Sequence, residues 1–138
     1  MTILVPVDSG PLRDRVIDTA VGLAEGLDED LYVVHLIDSE TADKEKRRIR
    51  DDLQAHLADA PIPTTVALEL VSHRSPRPAH RIAQEVVDIA SDVDITHVVV
   101  GHRSKGLLAD LAKGSTAFAV ADHASVPVTI VPESAVEG

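Results

Sequence analysis

Apolar positions along this chain fall into short blocks that switch between two periods. The run Thr2–Val7, Thr-Ile-Leu-Val-Pro-Val, is rich in β-branched residues and closed by Asp8-Ser9-Gly10, so it predicts a buried strand. Pro11 is expected at a helix start, where its missing N–H costs nothing, and Val16, Ala20, Leu23, Ala24 and Leu27 then recur at helical spacing. A turn over Asp28-Glu29-Asp30 leads to a second, nearly continuous apolar strand at 31–37. From about Thr41 to Ala58 a charged helix carries a narrow core stripe of Ile49, Leu53 and Leu57, and Pro61 and Pro63 stop it. Thr64–Val71 alternates as a third strand, nearer an edge. Helical spacing returns at Ile82, Val86, Ile89, Ala90 and Val93, followed by strand four at Ile95–Val100. A glycine loop, an alanine-rich helix over Ser115–Ala124 and a fifth strand at Val126–Val131 complete a domain over 1–132, and 133–138 reads as a loose tail.

Five apolar strands separated by helices imply a doubly wound α/β fold, three layers deep, with a parallel five-stranded sheet covered on both faces. Ligands of such sheets bind beyond the carboxyl ends of the strands, where the winding direction switches. If strands one and four are neighbours at that switch, Asp8 and the loop after Val100 face each other across one crevice.

The segment from Val98 to Thr116 carries the most chemistry. A buried strand runs into Gly101, a polar basic loop follows, and Gly114 precedes the hydroxyls of Ser115 and Thr116 at a helix start. Unpaired N–H groups at a helix N-terminus carry partial positive charge, and glycines let an anion approach the main chain. The pattern suits a phosphate cradle. Arg103, Lys105 and Lys113 place three cations in or beside the loop. Each residue also has a plainer reading: Asp8 as a turn former before Pro11, Ser115 as a helix cap, Gly114 as a turn glycine.

Composition narrows the partners. The chain has 138 residues, 13 Lys plus Arg against 23 Asp plus Glu, and a formal net charge of −10, which argues against nucleic acid as a partner. It contains no cysteine, which removes disulfides, thiol nucleophiles and thiolate metal sites. No apolar run approaches the roughly 20 residues of a membrane span, and the expected location is cytoplasmic, without membrane association.

The residues together resemble the universal stress protein family. The likeness rests on Pro-Val-Asp8-Ser closing strand one, Val-His35-Leu36-Ile-Asp38 closing strand two, the glycine pattern after strand four, and His123-Ala-Ser-Val-Pro127-Val at the end. It covers essentially the whole chain. It implies strand order 3-2-1-4-5, an architecture like that of the adenine nucleotide alpha hydrolases, a homodimer, and ATP as ligand, with AMP or another adenine nucleotide as alternatives and Mg2+ as a companion cation. By the same resemblance the nucleotide contacts fall on Pro6 and Asp8 in strand one and its turn, on the Leu36 backbone, on Val100, and on Gly101, Ser104, Gly114, Ser115 and Thr116 for the phosphates. The chain departs from the family pattern once, reading Gly101-x2-Ser104-x9-Gly114-Ser115 with serine in place of the second glycine. A left-handed backbone there costs serine about 1–2 kcal/mol, whereas a position needing only a small residue gains a hydroxyl donor.

Three functional classes follow: a nucleotide-binding regulatory module in the stress response, a scaffold of the same fold acting through an as yet unidentified protein partner without nucleotide, and a slow ATP hydrolase. No Gly-x4-Gly-Lys-Ser/Thr loop or His-x-Gly-His cluster appears, and Asp8 and His102 lack an identifiable orienting partner, so no catalytic residues are assigned. The seven histidines show no helical ligand spacing, so no metal site is assigned to them. The cations around Lys46-Arg47-Arg48 are flanked by acids and read as a solvated helix face, with Asp43 and Arg47 one turn apart. A second basic cluster, His73 to Arg81, follows strand three. The homodimer is expected through Val126–Val131, an apolar edge strand.

Only four of the 13 cations are lysine, and aspartate outnumbers glutamate 15 to 8. This acidic, lysine-poor balance predicts adaptation to high salt. A urea-unfolding midpoint that rises as KCl is added is the expected outcome; a midpoint indifferent to salt would contradict it.

Overall fold

The computed structural model describes residues 1–37, 40–70, 84, 86–91, 94–102 and 116–132, with the backbone alone for 116–118. The elements are β1 (Thr2–Val7), α1 (Arg13–Leu27), β2 (Asp30–Ile37), α2 (Asp43–His56), β3 (Thr64–Leu70), a helical segment α3 at 86–90, β4 (Ile95–His102), α4 (Thr116–His123) and β5 (Val128–Pro132). All five strands are parallel, in the order β3-β2-β1-β4-β5. The expected fold class and strand order are thus the observed ones, and β3 lies at an edge.

Alternation along the strands divides the core into two. Ile3, Val5 and Val7 of β1 and Leu31 and Val33 of β2 pack with Val16, Ile17, Ala20 and Ala24 of α1 and with Ile49, Leu53 and Leu57 of the α2 region. On the opposite face Leu4, Val34 and Val98 pack with Val86 and Ala90 of α3 and Val120 of α4. β1 is therefore buried on both sides, as a central strand of a doubly wound sheet must be.

Several boundaries move. Pro11 sits in the turn ahead of α1, whose N-cap is Leu12, because the turn over 8–10 occupies more chain than a direct entry would. Leu27 is 52% exposed, not buried, since the last turn of α1 runs past the sheet, while Ile17, outside the expected stripe, is fully buried. The helix ends at Asp28, which adopts a left-handed conformation (φ 56°, ψ 49°) and directs its N–H at the Ala24 and Glu25 carbonyls. That allows β2 to begin two residues later.

α2 is two residues shorter at each end than its apolar and charge pattern suggests. Its ion pairs are Lys46–Asp43 (3.6 Å), Arg48–Glu45 (3.7 Å) and Arg48–Asp52 (4.0 Å), so Asp43 meets Lys46 and not the expected Arg47. β5 begins at Val128, with Val126 and Pro127 ahead of it. β4 runs on through Gly101 and His102, so Gly101 belongs to the strand and not to the loop after it.

Gly101 also has a packing role. A Cβ on it would lie 2.8 Å from Val16 Cγ2 and 2.9 Å from Leu12 Cδ2, so α1 rests directly on this stretch of β4. Gly101→Ala is expected to destabilise the fold by about 1–3 kcal/mol through overpacking, and by clearly less when Val16→Ala makes room. Urea unfolding of the two single variants and the double variant measures this coupling.

Candidate functional site

The site lies at the carboxyl ends of β1 and β4, the central neighbours of the sheet. Thr2 donates its N–H to Asp94 of the segment leading into β4 (2.8 Å), so alternation turns the main-chain groups of Thr2, Leu4 and Pro6 toward β4 and those between them toward β2. Pro6 has no N–H to give. The β1–β4 ladder accordingly ends at Leu4↔Val98, while β1 stays paired with β2 as far as Val7↔His35. From the other side, Val98 donates to the Pro127 carbonyl (3.0 Å), which turns the amides of Val99 and Gly101 toward β1. The Gly101 main chain thus faces the carboxyl end of β1, at the level where Pro6 has no N–H to offer.

Five of the expected contact residues lie at these strand ends. Pro6, Leu36 and Val100 fall on the α3–α4 face with Leu4, Val34 and Val98, and Asp8 lies exposed just past β1. Pro6 and Val100 are buried and Leu36 is half-buried. Gly101 presents its main chain toward β1 while its Cα packs on α1. Ser104, Gly114 and Ser115 lie outside the described residues. Thr116 is the first residue of α4, and its side chain is likewise outside them. The same holds for the three loop cations Arg103, Lys105 and Lys113, the basic cluster 73–81 and the tail 133–138.

The turn between β1 and α1 is held by two side chains. Asp8 Oδ1 accepts the Gly10 N–H at 2.8 Å, so the turn-forming reading of this carboxylate is realised. The second oxygen of the carboxylate takes no part in that bond. Ser9 Oγ lies 3.3 Å from Nε2 of His35, and Arg13 donates its N–H to the Gly10 carbonyl (3.2 Å) as α1 begins.

His35 is 1% exposed and is the buried polar side chain among the described residues. Its register places it beside Val7 of β1 and Leu68 of β3. Nδ1 has no hydrogen-bond partner there. Burial holds the imidazole pKa below its ordinary 6.5, helped by the Arg13 charge; the Asp8 carboxylate and the nearby Leu36 main chain pull weakly upward, the latter without hydrogen-bond geometry at Nδ1.

On the α1–α2 side of the same turn opens a cleft of about 270 Å³, lined by Ser9, Gly10 and Arg13 and, from α2, by Glu45, Arg48 and Asp52. It lies on the sheet face opposite Pro6, Leu36 and Val100, and its charges neutralise one another: Arg13 pairs with Asp14 (3.2 Å) and Arg48 with Glu45 and Asp52. The carboxyl ends of β1 and β4, at the switch point of the sheet, are the better candidate site. No cluster of three or more His, Asp or Glu able to hold a metal occurs among the described residues, and no helix there is long and apolar enough to cross a membrane.

The Ser9–His35 pair and the ladder break at Pro6 escaped the sequence reading. The first could have been found by aligning the ends of strands one and two, because Val7↔His35 leaves Ser9 two residues beyond. The second had a direct signal, a proline in a central strand.

The model of the universal stress protein family matches residues 1–132. Among solved structures, this chain is similar to a universal stress protein from Archaeoglobus fulgidus, with 27% identity and a TM-score of 0.67 over 94% of this chain and 92% of that one. A structure of the universal stress protein from Archaeoglobus fulgidus in complex with dAMP gives 24% identity and a TM-score of 0.64, over 94% and 96%. A universal stress protein in complex with cAMP gives 20% identity and a TM-score of 0.73, over 96% of each chain. No curated protein sequence matches this chain.

Proposed function

Because the chain belongs to the universal stress protein family, we propose that it binds an adenine nucleotide at the carboxyl ends of β1 and β4 and acts as a regulatory module of the stress response, without efficient catalysis. The observation that carries this reading is the strand order β3-β2-β1-β4-β5, which puts the switch point of the sheet between β1 and β4, beside Asp8, Leu36 and Val100. A base seated there can bond to the Leu36 main chain, and the Asp8 oxygen that Gly10 does not occupy can meet a ribose hydroxyl. Phosphates then extend toward Gly101, Ser104, Gly114, Ser115 and Thr116, in a stretch of sequence where Arg103, Lys105 and Lys113 supply positive charge in an acidic chain. The complexes of related proteins with dAMP and cAMP support the adenine class. ATP with Mg2+ is the form proposed, because three cations exceed what a monophosphate needs.

A scaffold without nucleotide is the second reading. It is favoured by the structural work that Asp8 and Gly101 already do, one closing a turn and the other admitting α1. Calorimetry with Mg-ATP, AMP and cAMP separates the two. Binding by the wild type, weakened about 10- to 100-fold in Asp8→Ala through loss of a charge-assisted hydrogen bond and abolished in Gly114→Asp, is the expected result. Equal heats from wild type and Gly114→Asp would leave the scaffold reading standing.

We further propose a homodimer through β5. β5 is an edge strand, and its Val128 and Ile130 are only half-buried within one chain. Pairing with a twin across a two-fold axis would cover them. Replacing Val128 and Ile130 together by glutamate is expected to yield monomers in sedimentation velocity, and an unchanged sedimentation coefficient would refute the contact.

A further inference from the structure

We propose that Ser9 and His35 are positioning residues that latch the β1–α1 turn onto β2 and so set where the Asp8 carboxylate stands, an inference that rests on the nucleotide site proposed above. The turn is exposed and three residues long, and its own bond, Gly10 N–H to Asp8 Oδ1 (2.8 Å), ties it only to itself. Ser9 Oγ to His35 Nε2 (3.3 Å) is the side-chain bond that joins it to a neighbouring strand, spanning 26 residues of sequence. His35 is a firm anchor: it is fully packed between Val7 and Leu68, and the next residue along β2 is Leu36, on the site's own face. One imidazole thus fixes the relative height of the two backbone segments, at Asp8 and at Leu36, that a nucleoside would bridge.

A second feature identifies the pair as more than packing. An apolar side chain at position 35 would satisfy the core without leaving Nδ1 unpartnered, so the imidazole is kept at an energetic cost. Its neutral form is the one that fits. Arg13 of α1 faces it, Asp8 faces it from the turn, and across the cleft beside Ser9 stand Glu45, Arg48 and Asp52 of α2, the last three already paired among themselves. Burial keeps the imidazole pKa below 6.5, so the ring stays neutral near neutral pH whether or not Ser9 is bonded to it. Ser9 lines the cleft, so water reaches the pair at that point.

The test follows the turn and the ligand separately. In the nucleotide-free full chain, amide hydrogen exchange at Gly10 reports the turn; Ser9→Ala is expected to reduce its protection about three- to tenfold, the measure of one hydrogen bond. His35→Gln, which keeps a polar atom near the position of Nε2, is expected to retain protection. Calorimetry with Mg-ATP is expected to show Ser9→Ala binding several-fold more weakly and His35→Gln binding close to wild type. Unchanged Gly10 protection in Ser9→Ala overturns the latch, as does unchanged affinity in a wild type that binds. Reduced protection with no nucleotide bound by the wild type upholds the latch and refutes the nucleotide reading instead.

Discussion

Burial of β1 on both faces is the constraint from which the rest of this structure follows. A strand with α1 and α2 on one side and α3 and α4 on the other has no freedom of register, because slipping it by one residue would exchange the packing of Ile3 and Val5 with that of Leu4. Whatever stands at its carboxyl end is placed as accurately as the core itself. Asp8 and Ser9 inherit their positions from this fixed strand, and Leu36 and Val100 inherit theirs from strands flanking it.

Against that fixed frame the hydrogen-bond pattern of the sheet is interrupted at one place. Pro6 lies within the most buried strand, where a proline ordinarily argues against a strand, yet its missing donor falls toward β4 and only after the ladder has been secured by Thr2 and Leu4. β4 meanwhile continues paired with β5 to His102↔Pro132, so the interruption is one-sided. Gly101 lets α1 lie close to this end of β4.

Much of this was legible in the residues. β1 was bounded correctly because a β-branched run meets Asp-Ser-Gly, and the Ile49, Leu53 and Leu57 stripe was read correctly because apolar spacing on a charged helix leaves a single choice of face. The helix boundaries were less so: the Pro11 signal marked the neighbourhood of α1 but not its first residue, since proline suits a turn as well as a first helical position. Leu27 was misread because periodicity continues along a helix whether or not the sheet beneath it does. Contacts between strands were illegible for another reason. Ser9 meets His35, and Pro6 turns toward β4, only through register, which no local pattern contains. The phosphate half of the proposed site rests on a pattern of glycines and hydroxyls, and Gly101 shows that such a glycine can also be required by packing, which the pattern alone does not reveal.

The imino acid at position 6 also bears on the order in which the sheet is put together. It leaves β1 one donor short on its β4 side, whereas β1 pairs with β2 as far as Val7↔His35, so the fuller and more local partnership is the one from which the sheet grows.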